Sequence, residues 1–421
     1  MYNLLFLWKN KTKKGVMMKE NKVSKLFERF LAQDTIFKDK RALQVQYTPE
    51  NIPHRDEQIE QIAKIMAPCL RMEKPSNLFL YGKTGTGKTL AVTHTTNNIA
   101  KIAKKREIPL AVLYLNCKLK KIADTEYRII AQITRELGRE IPPTGLPTDE
   151  VYRVFFNLLE ERKQLLILVL DEIDQLVKKI GDEILYNLTR INTELKNSQV
   201  SIIGISNDLS FTNNLDPRVK SSLSEEEIVF PPYNALQLQD ILKERIGLAF
   251  IEGVLEEGVV EKCAAYAARE HGDARRALEL MRVAGEIAQR EEEKKIRIFH
   301  IDKAEEKIEK EKMLDIILYQ PKQFQAALYS IITLHQNKRS DKLISTGEIY
   351  ELYKNICGKI NLRMLTQRRV SDIIQELDML GIINAQVISK GRYGRTREIS
   401  LSLQDNLIPK VIEILKKDLD I

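Results

Sequence analysis

A glycine-rich stretch, LFLYGKTGTGKTL at residues 78–90, carries the clearest chemical signal in the sequence. From Gly82 through Gly87 and Lys88 to Thr89 it fits G-x-x-x-x-G-K-[ST], the phosphate-binding loop of nucleoside triphosphate sites. Glycines let the backbone turn its N–H groups toward the phosphates, while the lysine adds a positive charge. An apolar strand-like run precedes the loop and a helix-compatible run follows it, which favours this interpretation over a chance glycine-rich turn.

The loop predicts a site for ATP or ADP with Mg²⁺, the ion being held in part by the Thr89 hydroxyl. The loop residues expected to bind the nucleotide are Gly82, Thr84, Gly85, Thr86, Gly87, Lys88 and Thr89.

Two acids follow the strongly apolar run LLILVL. At the carboxyl end of a strand, Asp171 can hold the Mg²⁺ shell through water and Glu172 can polarise the attacking water. The pair could instead only begin the next helix, since acids favour a first helical turn. A phosphate loop upstream favours the catalytic interpretation.

Two further polar residues follow elements of the same region. Asn207 ends the run VSIIGIS; it could simply form a turn, but its place after the acid-bearing strand favours contact with the lytic water or the γ-phosphate. Arg218 follows a turn, DP, so we expect it to be exposed. It is either a solvated charge or an arginine finger that reaches the nucleotide of a neighbouring subunit.

The segment GDARRALELM predicts a helix that begins after Asp273, its N-cap. Arg275 and Arg276 then lie in the first turn, where a cation opposes the helix dipole. At least one of them is expected to serve a ligand, and the periodicity does not say which.

The elements that must position these residues can be read from the apolar pattern. Five continuous apolar runs (NLFLY, LAVLYLN, LLILVL, VSIIGIS and EEIVF) alternate with helical segments between about residues 77 and 230. Buried strands separated by helices predict a parallel sheet covered on both faces. Residues 234 to about 312 look wholly helical, and short helices and two strands follow.

The C-terminal part predicts a helix–helix–hairpin arrangement. Ser345 and Glu348 form a capping box, and Thr366 begins a second helix that stops at Gly381. The apolar stripe of that helix leaves five polar residues facing outward: Gln367, Arg368, Ser371, Asp372 and Gln375. A hairpin with the basic tip KGRYGRT follows, which is typical of a winged helix.

This winged helix is interpreted as a DNA reader. Candidate contacts come from Gln367, Arg368 and Arg369 on the helix and from Arg392, Tyr393 and Arg395 on the wing. Winged helices also dock proteins, but seven basic residues and only three acids between residues 363 and 397 favour DNA.

Composition bounds the remaining possibilities. A chain of 421 residues is expected to form two or three domains, and its net charge of +8 favours a polyanionic partner. Four scattered cysteines argue against structural zinc and a disulfide framework and fit a reducing cytosol. The apolar run YNLLFLW is too short to span a bilayer, so we expect a cytoplasmic, nucleoid-associated protein with no membrane partner.

Together these motifs resemble the archaeal replication-initiator family of AAA+ ATPases, which is related to the large subunit of the eukaryotic origin recognition complex and to the cell-division-cycle loader. The resemblance runs from about residue 26 to the C-terminus and includes YTPENIPHRDEQI, LDPRVKSSLSEEEIVFPPY and GDARRALEL. It implies that Asn207 is sensor 1, Arg218 the arginine finger and Arg275 the sensor 2 arginine. It further implies that Tyr233 and Arg245 contact the nucleotide and that residues 121–138 form a DNA-contacting insertion.

The expected fold is an α/β AAA+ module, a parallel sheet flanked by helices, with an all-helical lid and a C-terminal winged-helix domain. The expected division is a basic flexible tail at 1–21, a base domain at 22–230, a lid at 231–312 and the winged helix at 313–421. Met17 and Met18 offer later starts within the tail.

The expected function is a weak, Mg²⁺-dependent ATPase that serves as a switch. It would recognise double-stranded origin DNA and help to load the replicative helicase, with a second copy or a paralogue as a candidate partner on DNA. Two alternatives remain: a signalling-type switch ATPase with a winged helix, and a clamp or helicase loader without origin specificity.

Overall fold

The computed structural model describes residues 24, 27–28, 35–49, 51–118, 125–142, 145–223, 225–337, 344–389 and 395–421, without the side chains at 388–389 and 395–396. The predicted tail at 1–21 lies outside the described residues. The chain divides into two compact units, Met1–Ile301 and Asp302–Ile421. The predicted boundaries at 230/231 and 312/313 stay predictions.

The first unit contains a five-stranded sheet. Its strands are β1 (Asn77–Tyr81), β2 (Leu110–Asn116), β3 (Gln164–Asp171), β4 (Ser198–Ser206) and β5 (Glu225–Val229). They pair in the order β2-β3-β4-β1-β5, and every pair is parallel. The predicted parallel sheet is confirmed.

Helices surround this sheet and follow it in sequence. Before β5 they are α1 (Asp56–Met66), α2 (Lys88–Lys105), α3 (Glu126–Glu136), α4 (Thr148–Glu160), α5 (Ile173–Ile180), α6 (Glu183–Arg190) and α7 (Pro217–Leu223). After β5 come α8 (Ala235–Ala249), α9 (Val259–Arg269) and α10 (Ala274–Arg290), which confirm the predicted helical region. Helix α11 (Ile298–Leu318) begins in this unit and ends in the second.

The central strands are buried on both faces of the sheet: every residue of β1 is buried, and its consecutive side chains point to opposite faces. On β1, Leu78 and Leu80 belong to one apolar cluster, whereas Phe79 and Tyr81 belong to the other. Gly204 of β4 pairs with Phe79, and a Cβ at this glycine would lie 2.5 Å from the Phe79 ring. Glycine is therefore needed where the ring crosses the neighbouring strand.

The second unit contains α12 (Lys322–Asn337), β6 (Ile344–Ser345), α13 (Thr346–Lys359), α14 (Gln367–Met379), β7 (Ile383–Ser389), β8 (Arg395–Leu401) and α15 (Ile408–Leu419). The three strands form an antiparallel sheet in the order β6-β8-β7. Ser345 and Glu348 make the predicted capping box of α13, and Thr366 caps α14. The predicted helix–helix–hairpin winged helix is confirmed.

No helix within the described part of the chain is long and apolar enough to cross a lipid bilayer.

Candidate nucleotide site and candidate DNA-contacting surface

A cavity of about 590 Å³ lies in the first unit, a size that suits a small-molecule cofactor. It is lined by residues 84–90, by residues 45–49 and 51–53, and by Thr93, Tyr114, Asn116, Lys118, Asp171, Glu172, Asn207, Tyr233, Ile241, Glu244, Arg245, Ala274, Arg275 and Leu278.

Sheet topology explains why distant parts of the sequence meet at this cavity. Strand β4 lies between β1 and β3, so the carboxyl ends of all three strands are adjacent. The Lys88 ammonium, just after β1, donates to Asn207 Oδ1 at 2.9 Å, just after β4. The Thr89 hydroxyl donates to Asp171 Oδ2, at the end of β3, also at 2.9 Å. These four side chains therefore meet at one edge of the sheet.

The loop backbone takes a course that requires glycine. Gly85 and Gly87 have φ values of +73° and +92°, which residues with a Cβ rarely adopt. A Cβ at Gly85 would also lie 1.6 Å from Asp273 Oδ1. Gly87 is the N-cap of α2. The first N–H groups of this helix, which have no acceptor within the helix, therefore directly follow the loop.

Lys88 is 5% exposed and is held by the loop itself, because its ammonium donates to the carbonyls of Gly82 at 2.6 Å and Lys83 at 2.8 Å. Gly82 thus holds the lysine, but it is not among the described residues that line the cavity. Burial lowers the pKa of Lys88 to about 8, against a raising effect of Asp171, and the nearby Arg275 lowers it further. The site concentrates positive charge where phosphates would lie.

Asp171 and Glu172 have different surroundings. Asp171 is buried, and its Oδ2 accepts hydrogen bonds from the hydroxyls of both Thr89 and Tyr114. Glu172 has a left-handed φ of +55°, uncommon for a residue with a side chain, and its carboxylate lies 3.5 Å from the Lys118 ammonium.

The Thr89 and Asp171 oxygens fit a magnesium ion. Mg²⁺ prefers hard oxygen ligands at about 2.1 Å in octahedral geometry, which places adjacent ligands about 3 Å apart. The two oxygens lie 2.9 Å apart and face the same cavity. These residues can therefore serve as neighbouring ligands.

Helix α10 brings one arginine to the cavity. Asp273 caps the helix by accepting from the Arg275 N–H, as predicted. Arg275 lines the cavity, whereas Arg276 pairs with Glu270 at 2.9 Å. The structure thus separates the two arginines that periodicity left equivalent. The Ala274 N–H also donates to the Gly85 carbonyl at 3.3 Å, so this helix touches the phosphate loop.

Tyr233 and Arg245 both line the cavity and are 4% and 6% exposed. The Arg245 guanidinium lies 4.4 Å from the centre of the Tyr47 ring and donates to the Tyr47 carbonyl at 3.3 Å. Its Nη1 has no hydrogen-bond partner among the residues that the structure describes, which leaves a donor for a ligand.

Arg218 lies elsewhere. Its side chain is 84% exposed on α7 and pairs with Asp216 at 3.1 Å. It is not among the described residues that line the cavity. The predicted action on a neighbouring subunit stays a prediction.

Sequence reasoning missed three residues of the site, of which Tyr114 and Lys118 line the cavity. Arg55 bonds to the loop backbone, Tyr114 donates to Asp171, and Lys118 pairs with Glu172. Arg55 stands inside the family-like stretch YTPENIPHRDEQI, but no spacing rule gives it a role. Tyr114 could have been suspected, because β2 pairs with the acid-bearing strand β3.

The candidate DNA-contacting surface is the outer face of α14. Gln367, Arg368, Asp372 and Gln375 are exposed as predicted, whereas Ser371 is half-buried. Arg369, the third candidate contact on the helix, is also exposed. Arg397 of β8 donates to the Ser371 carbonyl at 2.8 Å, to its hydroxyl at 3.1 Å and to Gln375 Oε1 at 3.2 Å.

Several predicted DNA contacts fall on undescribed parts of the chain. Arg392 and Tyr393 lie outside the described residues, as does the side chain of Arg395. In the proposed insertion at 121–138, residues 121–124 lie outside as well. The remainder forms α3, which Thr125 caps and which packs on the apolar core.

Comparison with known families matches three segments of the chain. The AAA domain matches residues 71–210, the Cdc6 AAA+ ATPase-type lid domain residues 239–306, and the CDC6 C-terminal winged helix domain residues 315–411. An ORC1-type DNA replication protein of Pyrococcus abyssi is 55% identical over 385 residues, which cover 90% of this chain and 91% of the relative. The chain belongs to the family of ORC1-type DNA replication proteins.

Two other ORC1-type proteins are also similar to this chain over most of its length. The ORC1-type DNA replication protein 1 of Methanosarcina mazei is 49% identical over 396 residues, covering 94% of this chain and 95% of the relative. The solved Aeropyrum pernix ORC1 protein in complex with DNA is 44% identical, with a TM-score of 0.78, and covers 92% of this chain and 98% of that one. The predicted family and fold class are confirmed, and the protein is a replication initiator of this type with a nucleotide-binding AAA+ ATPase module.

Proposed function

We propose that the protein is an ATP-switched initiator that binds double-stranded origin DNA and helps to load the replicative helicase. The observation that carries this proposal is the 44% identity, over 92% of the chain, with a protein solved in complex with DNA. Family membership does not favour the signalling-type ATPase, but it leaves a loader without origin specificity as the alternative.

In this proposal, different residues at the cavity bind the phosphates, contact the rest of the nucleotide and orient the water. The loop amides and Lys88 bind the phosphates, and Tyr233, Arg245 and Arg275 contact the nucleotide from the lid side. Asn207, which accepts from Lys88, is placed to orient the lytic water. The tail, the base, the lid and the winged helix keep the predicted boundaries at 21/22, 230/231 and 312/313 in this proposal.

In hydrolysis, Glu172 acts as the general base. It accepts a proton from water as the water oxygen bonds to the γ-phosphorus, and the bond to the leaving ADP oxygen breaks. Mg²⁺, held by Thr89 and Asp171, would supply positive charge that offsets the negative charge on the phosphate oxygens. Lys118, 3.5 Å from Glu172, competes with the water for the carboxylate, and this supports slow turnover that resets a switch.

On DNA, α14 enters a major groove with Gln367, Arg368 and Arg369 near its start, where side chains reach base edges and phosphates. The wing residues Arg392, Tyr393 and Arg395 follow the backbone or minor groove. Arg397 fixes Ser371 and Gln375, which supports a rigid reading helix rather than direct contacts from those two residues. Self-association on DNA and contact with the helicase belong to the proposal.

Selection from a random duplex pool separates an initiator from a loader. The protein, saturated with ATP, is incubated with the pool, and bound duplexes are amplified and sequenced over several rounds. An initiator should enrich one sequence, present at the replication origin, that it binds at least about 10³-fold more tightly than random duplex. Retention of the pool without enrichment would contradict origin recognition and favour the loader.

A further inference from the structure

Arg55, just before α1, is a buried arginine whose guanidinium is bonded to backbone carbonyls. It is 2% exposed. Its Nε donates to the Thr86 carbonyl at 2.9 Å, its Nη2 to the Pro231 carbonyl at 2.5 Å and its Nη1 to the His54 carbonyl at 3.4 Å. One side chain thus joins the phosphate loop to the segment between β5 and α8.

The charge of Arg55 has no carboxylate partner among the residues that the structure describes. Its guanidinium instead lies 3.9 Å from the centre of the Tyr233 ring and 5.5 Å from that of Phe230. Cation–π contact offsets part of the cost of burying the charge. A buried arginine whose partners are carbonyls and aromatic rings holds backbone segments in position rather than forming an ion pair.

The bond to Thr86 orients the loop. In a planar trans peptide the C=O and the next N–H point in opposite directions. Because the Thr86 carbonyl points to Arg55, the Gly87 N–H points away from it, and both residues line the cavity. Arg55 therefore sets the orientation of one amide that can bind a phosphate.

The hydrogen bond to the Pro231 carbonyl connects Arg55 to the segment that leads into α8. Two residues later, the Tyr233 N–H donates to the Gly272 carbonyl at 3.3 Å, next to the Asp273 cap of α10. The Tyr233 hydroxyl lies 2.9 Å from the position of a Cβ at Gly87. The loop, residues 231–233 and the start of α10 are thus connected through Arg55 and Tyr233.

We propose that Arg55 is a positioning residue that couples phosphate binding at the loop to residues 231–235 and so to the start of α10. The inference rests on the proposed nucleotide function and deepens it. Lysine cannot replace arginine here, because a compact ammonium cannot bond to carbonyls of two segments while stacking on Tyr233.

Amide hydrogen exchange with and without saturating ADP tests the coupling in the full chain. The variant is Arg55→Lys, and the matched control is Arg41→Lys, an exposed arginine of the same N-terminal region that pairs with Asp39. In wild type and control, ADP should slow exchange at residues 82–89 and at the amides of residues 233–235, which follow the two prolines 231 and 232. In Arg55→Lys, ADP should bind about tenfold more weakly. At saturation it should still protect the loop but no longer residues 233–235.

Three outcomes would overturn the inference. Wild-type protection of residues 233–235 in Arg55→Lys would show that the arginine carries no coupling. Faster exchange across β1 to β5 without ADP would show a general structural role; if Arg55→Lys does not fold, Tyr233→Leu must show the same loss confined to residues 233–235. Absence of ADP protection at the loop of the wild type would instead refute the nucleotide site, and the inference with it.

Discussion

Asp171 and Glu172 are adjacent in sequence but have different surroundings, which fit two different proposed roles. Asp171 is buried and accepts from two hydroxyl donors, so its carboxyl group is held in one orientation, as a metal ligand would be. Glu172 is less buried and has one lysine 3.5 Å away, so it can exchange that partner for water. Environment rather than residue type separates the two proposed roles.

Glu172→Gln should leave ADP affinity near that of the wild type and lower ATP turnover by about 10²–10⁴-fold, because an amide cannot accept the proton. Binding is measured by equilibrium titration and turnover by phosphate release. Glu194→Gln, an exposed acid away from the cavity, is the control and should turn over normally. Wild-type turnover in the Glu172 variant would remove this residue from catalysis.

The lowered pKa of Lys88 predicts a pH dependence of binding. Without nucleotide the lysine loses its proton as pH rises through about 8, whereas bound phosphates favour the charged form. ADP affinity should be level below pH 8 and fall by up to about tenfold per pH unit above it, with proton uptake on binding. Lys88→Arg, which stays charged, should remove the slope; an unchanged slope in that variant would assign it to another group.

At the level of elements, the parallel sheet, the winged helix and the helix caps were predictable from sequence. Buried strands require continuous apolar runs, and caps such as Ser345 with Glu348 act locally. Arg55 was not predictable, because its acceptors Thr86 and Pro231 lie 31 and 176 residues away.

Helix α14 also makes a contact that its own sequence pattern does not predict. Periodicity predicted the apolar stripe Val370, Ile373, Ile374, Leu377 and Leu380. The first four are buried and Leu380 is half-buried. Periodicity could not show that Arg397 of β8 donates hydrogen bonds to Ser371 and Gln375. It indicates only which face of a helix is buried, not which side chains of other elements contact the opposite face.

Arg368→Ala should reduce affinity for the selected duplex more than for random duplex. An arginine near the start of a reading helix can contact base edges, which is worth about 1–3 kcal/mol of discrimination. Lys410→Ala, an exposed basic residue on α15, is the control and should not change the ratio of the two affinities. Both affinities are measured by fluorescence anisotropy over a salt series. Equal losses on both duplexes would remove Arg368 from base readout.

At the scale of the whole molecule, the exposed Arg218 is the residue proposed to act on the nucleotide of a neighbouring copy of the chain. If it reaches a neighbour's nucleotide, turnover per molecule should rise with protein concentration on DNA, and Arg218→Ala should abolish this rise without changing ADP affinity. Lys220→Ala on the same helix should behave like wild type, since it keeps the arginine. A turnover per molecule that is independent of concentration in the wild type would indicate a switch that works as a monomer.

The central claim is that the bound nucleotide sets the affinity of this protein for origin DNA. The direct measurement is the affinity of Glu172→Gln for the selected duplex, with saturating ATP and with saturating ADP at the same salt concentration. Coupling between two sites typically changes affinity about 5- to 150-fold, and we expect a difference in that range. Superimposable binding curves in the two nucleotides would contradict the switch.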